Sequence, residues 1–433
     1  MSATGERKSQ ISAFQFFQVA RYVSLLAASI LITKSHLGQS FIGQYETYLL
    51  IASTLSFFWI NGILTSYLRI YPASNNKPAV VFNTFLLLML IAVLISVLLL
   101  ICRTEVNSFF KISEERNSYY LFILFFFLNS ISFFTEYLLL SKNQNRQLIV
   151  FGVVHLIIQT ILIAAPVYLN TNYTDIIIGL TIFTGLKFSY LVFILIQNGS
   201  FKIDKQIFSS YRKTTPPLVI SYFLGGISIY VDGIIVTHYF DKATFAMYQY
   251  GAREFPLSLL LANAFSAAVI QLVAADKKQG LQTVRSGSEK MMHILFPICI
   301  ILIICSKWLY PAVFNPQFAE SYIYFNIYIL LLIPRLIFPQ SILMALSETR
   351  IIMFSSCMEF ILNIVLSLIF LRVFGLPGIA YATVIAFITD KTILAIYLKR
   401  RKQINIGDYT PIKTYFSYSF ILILAFIVVF MMN

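Results

Sequence analysis

The chain has 433 residues, of which 58% are hydrophobic and only 12% charged. A soluble domain carries about 25% charged residues, so this composition excludes an ordinary soluble fold and points to a polytopic α-helical membrane protein. The formal net charge is +14, but the basic residues sit in short segments between apolar runs, where the positive-inside rule rather than nucleic acid accounts for them.

Hydropathy places the first six spans at 12–33, 43–70, 79–102, 118–140, 147–169 and 175–197. The first run is too long for a signal-peptide core and reads as a retained span. A polar loop, NGSFKIDKQIFSSYRKTT, separates these from six more spans at 216–238, 243–274, 289–309, 320–346, 350–371 and 377–398. The basic run Lys399 to Lys402 follows, and a thirteenth apolar run covers 414–432. With the N-terminus inside, the inner segments hold 19 Lys and Arg residues and the outer segments seven, so the N-terminus is expected to be cytoplasmic.

The expected architecture is all-α. A six-helix lobe covers 1–200, a cytoplasmic loop 201–215, a second six-helix lobe 216–398, and a basic segment with a terminal helix 399–433. Six spans per lobe imply parallel repeats, related by an axis along the membrane normal. A short echo accompanies this: the second span opens Gly43-Gln44-Tyr45 and the eighth Ala246-Met247-Tyr248.

Charges inside the spans carry the functional signal. Arg253 and Glu254 sit about ten residues inside the eighth apolar run, roughly 15 Å down a straight helix, and Pro256 predicts a kink beside them. Arg21 continues a polar line with Gln15 and Gln18, and Lys187 continues one with Thr181 and Thr184. Pro334 and Pro339 bracket Arg335 and predict a broken helix. Lys391, near an inner helix end, is expected to snorkel.

Two acidic stripes read as continuous helical faces: Ser221, Gly225, Ser228 and Asp232 in span seven, and Ser356, Glu359, Asn363 and Ser367 in span eleven. The in-span acids able to neutralise the cations are Asp232, Glu254 and Glu359. Glu136 and Asp390 are placed near inner helix ends. Arg21, Lys187, Arg253 and Arg335 are therefore expected to leave surplus positive charge at mid-depth, which suits an anionic cargo with phosphate oxygens. Arg253 and Glu254 differ by about 100° around a helix, which makes Arg253 the cargo contact and Glu254 a bridge or coupling residue. Internal ion pairs that only orient helices are the alternative for any one of these residues.

His36, His155, His238 and His293 are assigned to polar packing, with proton movement as a second role for His155. The four cysteines lie in apolar segments without metal spacing and read as buried, inert thiols. No Walker A motif, HExxH or nucleophile–His–Asp set occurs, so neither a metal nor a cofactor is expected.

Three segments carry a family resemblance. YVDGIIVTHYFDKATFAMYQYGAREFPLSLLLANAF holds the acidic residue of span seven, a short outer loop and a Tyr/Arg-bearing span eight. ILMALSETRIIMFSSCMEFILNIVLSLIF holds a Glu…Asn helix, and FGLPGIAYATVIAFITDKTILAIYLKRR a glycine-rich start of span twelve. Together with the span layout they resemble the polysaccharide flippases (Wzx type) of the multidrug/oligosaccharidyl-lipid/polysaccharide exporter superfamily. The thirteenth span departs from that family's commonest twelve-span pattern.

The resemblance implies a MATE-like pair of lobes around a cationic cavity in the bacterial inner membrane. It implies a non-enzymatic transporter that moves undecaprenyl-diphosphate-linked oligosaccharide to the periplasmic leaflet for O-antigen, lipopolysaccharide or another surface glycan. Arg21, Lys187, Arg253 and Arg335 would hold the diphosphate. Asp232, Glu254 and Glu359 would couple transport to protons or sodium ions, or bridge helices. A polymerase and a chain-length regulator would be partners, besides membrane lipids. A multidrug antiporter of the same superfamily and a membrane glycan polymerase are the competing readings. Surplus cations argue against the first, and the lack of a large outer loop against the second.

Overall fold

A computed structural model of the protein describes residues 3–112, 116–169, 173–197 and 201–432. Among these residues the chain is helical throughout, without strands. Eleven helices are long and apolar enough to cross a membrane, and thirteen spans result if each of two bent helix pairs counts as one.

Two compact units divide the chain: Met1–Gly226 with Thr237–Ala246, and Ile227–Val236 with Met247–Asn433. The expected loop 201–215 is different in the structure. It is helical from Lys205, because Asp204 caps the helix by accepting from the Gln206 and Ile207 amides at 2.8 and 3.3 Å.

The first unit contains α1 (Ala3–Thr33), α2 (Gln39–Ala73), α3 (Lys77–Ile101), α4 (Arg103–Phe109), α5 (Arg116–Ser132), α6 (Phe134–Ser141), α7 (Asn145–Tyr168), α8 (Tyr173–Gln197) and α9 (Lys205–Gly226). Helix α1 packs on α7, α2 on α9, and α8 on both α5 and α7. Their shared core joins Phe17, Trp59, Ile63, Tyr67, Phe134 and Leu191. Asn76 caps α3 by accepting from the Ala79 amide at 3.3 Å, and Pro78 occupies the first turn, where no amide donor is needed.

A single turn residue in αR geometry, Phe133, lies between α5 and α6, and Asn117–Ser141 crosses as one helix of 25 residues.

Helix α10 (Ser228–Tyr239) and α11 (Lys242–Gly251) each run from one unit into the other. Within the first unit, Gly43 of α2 meets the chain at Lys242. A Cβ on Gly43 would lie 1.8 Å from the Lys242 carbonyl oxygen. The Lys242 ammonium donates to Thr47 Oγ1 at 2.9 Å and to the Phe110 carbonyl. Gly43→Val is expected to cost about 1–3 kcal/mol or more through overpacking, read as a lower midpoint of thermal unfolding in detergent. An unchanged midpoint would contradict this close approach.

The second unit adds α12 (Pro256–Ala275), α13 (Lys277–Val313), α14 (Ser321–Ile329), α15 (Leu332–Arg335), α16 (Pro339–Ala345), α17 (Thr349–Phe374), α18 (Leu376–Lys402), α19 (Ile406–Tyr409) and α20 (Ile412–Met431). Helix α17 packs on α18, α13 on α12 and α20, and α16 on α12 and α18. Ala262, Val269, Phe338, Ile342, Leu394 and Tyr409 form a core. Gly375 joins α17 to α18 at φ 65°, a conformation that favours glycine. The four basic residues Lys399 to Lys402 close α18, where cations complement its dipole.

The predicted break around Arg335 is present: Leu336–Phe338 interrupt the helix and the two parts bend by 41°. Span seven breaks as well, at Ile227, so Ser221 and Asp232 do not share one continuous face. All four cysteines are free; only Cys299 is buried, while Cys102, between α3 and α4, and Cys305, in the run Lys277–Val313, are exposed. Phe416, Phe420 and Met431 of α20 are exposed too, and bilayer hydrocarbon is the solvent that suits such a face.

Candidate functional site

Polar side chains gather in one cluster in the first unit and two in the second. In the first unit, Arg21 of α1 and Lys187 of α8 both pair with Glu136 of α6. Arg21 Nη1 lies 3.3 Å from Glu136 Oε1, and Lys187 Nζ 3.2 Å from Glu136 Oε2. Two residues of the predicted polar line on α1 are joined, Arg21 Nη2 donating to Gln18 Oε1 at 2.6 Å. Both cations also face the Phe133 ring, at 5.5 and 5.0 Å from its centroid.

Glu136, left out of the neutralising acids by its place near an inner helix end, does neutralise these cations. Its side chain is 0% exposed and that of Lys187 4%, against 29% for Arg21. The distance of Glu136 from the end of its span does not reveal this burial. Two cations on one carboxylate leave one net positive charge, and Arg21 is its more accessible holder.

In the second unit, Arg253 and Glu254 lie outside any helix. Residues 252–255 separate α11 from α12, with Pro256 at the first position of α12. The straight-helix depth of about 15 Å and the 100° separation therefore do not apply to them. The Arg253 guanidinium lies over the Tyr250 ring at 4.5 Å. Glu254 pairs with Arg335, whose guanidinium also faces Phe387 at 5.3 Å. This pair ties the break after α11 to the break after α15. Reversing either charge alone, Glu254→Arg or Arg335→Glu, is expected to lower the folded yield sharply. The double reversal is expected to recover part of it, as coupled neighbours do; additive losses would contradict a direct pair.

Lys391 does not snorkel. It is buried and donates to Asp390 Oδ2 and Gln340 Oε1, each at 2.9 Å, while Ser355 donates to Asp390 Oδ1 at 2.5 Å. Asp390 is buried too. Glu359 is half-buried, and Asp390, Lys391 and Arg335 are the charged groups that act on it.

The third cluster centres on Asp232, which is 4% exposed. Its Oδ2 accepts from Thr383 Oγ1 at 2.5 Å, from the Tyr248 hydroxyl at 3.3 Å and from the Tyr328 hydroxyl. Thr383 Oγ1 also lies 3.3 Å from Asn363 Oδ1, which accepts from Ser367 at 3.0 Å. Asp232 Oδ1 accepts no hydrogen bond of normal geometry. Four helices, α11, α14, α17 and α18, thus bring oxygen-bearing side chains to the buried carboxylate of α10, a junction of five helices. An oxygen set of this kind can hold a proton or ligate a small hard cation. Among the described residues, no group of three His, Cys, Asp or Glu side chains forms a metal site.

The pattern of Asp232, Asn363 and Ser367 is visible in the sequence as polar stripes. Thr383 and Tyr328 carry no such signal, since a lone Thr or Tyr in an apolar span is ordinary.

The model of the family described as "Polysaccharide biosynthesis protein" matches residues 37–323. The chain belongs to this family. No curated protein matches the chain. Among solved structures, this polysaccharide biosynthesis protein is similar to the lipid II flippase MurJ in an inward closed conformation. That match has a TM-score of 0.72 at 18% identity and covers 96% of this chain and 92% of that one. It is also similar to a multidrug resistance MATE family transporter of the MOP superfamily in an inward-facing conformation, with a TM-score of 0.67 at 11% identity over 90% and 98% of the two chains. A point mutant of the Vibrio cholerae MATE transporter VcmN gives a TM-score of 0.58 at 14% identity over 92% and 99%. At such identities the likeness is one of fold, and it assigns this family member the MurJ/MATE-like fold.

Proposed function

We propose that the protein is a flippase that moves undecaprenyl-diphosphate-linked oligosaccharide repeat units from the cytoplasmic to the periplasmic leaflet by alternating access. The observation that carries this reading is the combination of a polysaccharide-biosynthesis family with a MurJ/MATE-like fold. The repeat units serve O-antigen or another surface glycan. The membrane is the bacterial inner membrane, with the N-terminus in the cytoplasm.

The charge clusters support an anionic cargo. The first unit holds two cations, Arg21 and Lys187, on one carboxylate, Glu136, and so keeps a net positive charge there. Arg21 and Arg253 bind the diphosphate, since an arginine fork suits phosphate oxygens. Lys187 and Arg335 hold the carboxylates and join the cargo as the pairs rearrange. Asp232 exchanges a proton or sodium ion in step with the conformational change, with Glu359 as a second coupling carboxylate.

Deletion of the gene is expected to abolish the surface glycan and to accumulate lipid-linked repeat units on the cytoplasmic side. Normal glycan together with increased drug sensitivity would favour a multidrug antiporter of the same fold instead. Polymerised glycan made by the purified protein from lipid-linked donor would favour an enzyme.

A further inference from the structure

A groove of about 460 Å³ runs along the first unit between α7 and α8. Its walls are apolar, with Val150, Val154 and Ile158 from α7 facing Phe183 and Leu186 from α8. Val150, Val154 and Leu186 remain 54, 43 and 52% exposed, so the groove opens to whatever surrounds the helices. One mouth carries Arg146 and Gln147 at the start of α7. From Arg146 to Ile158 the helix rises about 18 Å, close to the hydrocarbon depth of a single leaflet.

The back wall is aromatic. Phe151 and Phe183 meet the ring of His155 edge-on, at 6.2 and 4.8 Å between centroids. Lys187, already committed to Glu136, lies 6.0 Å from the Phe151 centroid. The groove thus borders the buried Arg21–Glu136–Lys187 cluster without opening a second carboxylate to it.

We propose that this groove binds an anionic phospholipid of the bilayer, with its phosphate on Arg146 and one acyl chain laid between α7 and α8 as far as Ile158. No carboxylate lines the groove, so its charge complements an anion. One arginine and one amide suit the single charge of a phosphodiester. The other polar groups of the lining are His155, Lys187 and Tyr190, and Lys187 is held by Glu136, which leaves little polar surface for a diphosphate bearing several sugars. The bound chain completes the apolar shell around the charge cluster, which raises the strength of its ion pairs. Of the residues proposed to meet the cargo, Lys187 borders this groove, whereas Arg21 and Arg253 do not line it.

The test is native mass spectrometry of the full-length protein, delipidated in mild detergent and titrated with phosphatidylglycerol or phosphatidylcholine. One phosphatidylglycerol is expected to bind ahead of phosphatidylcholine. Arg146→Ala is expected to weaken it about fivefold, the value of one basic residue at a membrane surface, while Arg146→Lys keeps most of the affinity. Val154→Trp, which fills the groove from an exposed position, is expected to remove that copy with the melting midpoint retained. Phe420→Trp on α20 is a control that leaves binding unchanged. Equal binding of the two lipids would overturn the proposal, as would Arg146→Ala and Val154→Trp variants that bind phosphatidylglycerol like the wild type. Displacement of the bound lipid by equimolar undecaprenyl diphosphate would overturn it too, by making the groove a cargo site.

Discussion

Glu136→Gln is expected to destabilise the protein more than any other single substitution at the charge clusters. Its carboxylate is fully buried and holds two cations that come from helices far apart in sequence. Breaking a buried ion pair by removing one partner costs about 3–5 kcal/mol, because the remaining charge stays buried without compensation. Lys187 bears most of that penalty, since its side chain is only 4% exposed, whereas Arg21 at 29% retains contact with its surroundings and with Gln18. A large fall in the thermal midpoint and in folded yield is the expected reading. Adding Lys187→Met is expected to recover much of the loss, because it removes the stranded charge and leaves an apolar chain of similar length. If Glu136→Gln alone unfolded at the wild-type midpoint, the cluster would not be the internal anchor described here.

Asp232→Asn is expected to separate folding from transport. Asparagine keeps the shape and one oxygen acceptor for the Thr383, Tyr248 and Tyr328 hydroxyls, so the five-helix junction survives. It loses the negative charge, and with it the differential affinity through which a bound proton or sodium ion biases one conformation over another. Coupling energies of about 1–3 kcal/mol correspond to changes of roughly 5–150-fold. Transport driven by an ion gradient is therefore expected to fall by at least about tenfold, with protein level and melting midpoint near wild type. Full gradient-driven transport by the variant would remove Asp232 from the coupling step and leave Glu359 as the candidate. Thr383→Val is expected to fall between the two, because it removes one donor while leaving the carboxylate in place.

Much of the fold was legible because bilayer hydrocarbon imposes one rule on every span. Long apolar runs separated by short basic loops predict thirteen spans, and eleven helices plus two bent pairs correspond to them. The break beyond Arg335 was legible from Pro334 and Pro339, since proline removes a donor and crowds the preceding turn. The break at Ile227 was not, because Gly225 and Gly226 are tolerated inside helices and only packing decides whether they bend. Nothing local to Glu136 marks it as the partner of Arg21 and Lys187, which come from helices distant in sequence. Straight-helix arithmetic fails where the chain leaves the helix, as at Arg253 and Glu254, and it does not show that Lys391, inside the unbroken α18, is held by Asp390 and Gln340. Asp232 fared better. A carboxylate deep in an apolar run is costly enough to signal a site by itself. Its hydroxyl partners come from residues 16 to 151 positions away, and nothing local to Tyr328 or Thr383 announces that meeting.

The most direct measurement is translocation in liposomes that contain the purified full-length protein and a fluorescent undecaprenyl-diphosphate-linked oligosaccharide. The protein is predicted to carry the probe between leaflets well above the protein-free rate, and Arg253→Ala to reduce that rate strongly with the protein still folded. A wild-type rate equal to that of protein-free liposomes, under both proton and sodium gradients, would contradict the assignment as a flippase for lipid-linked glycans.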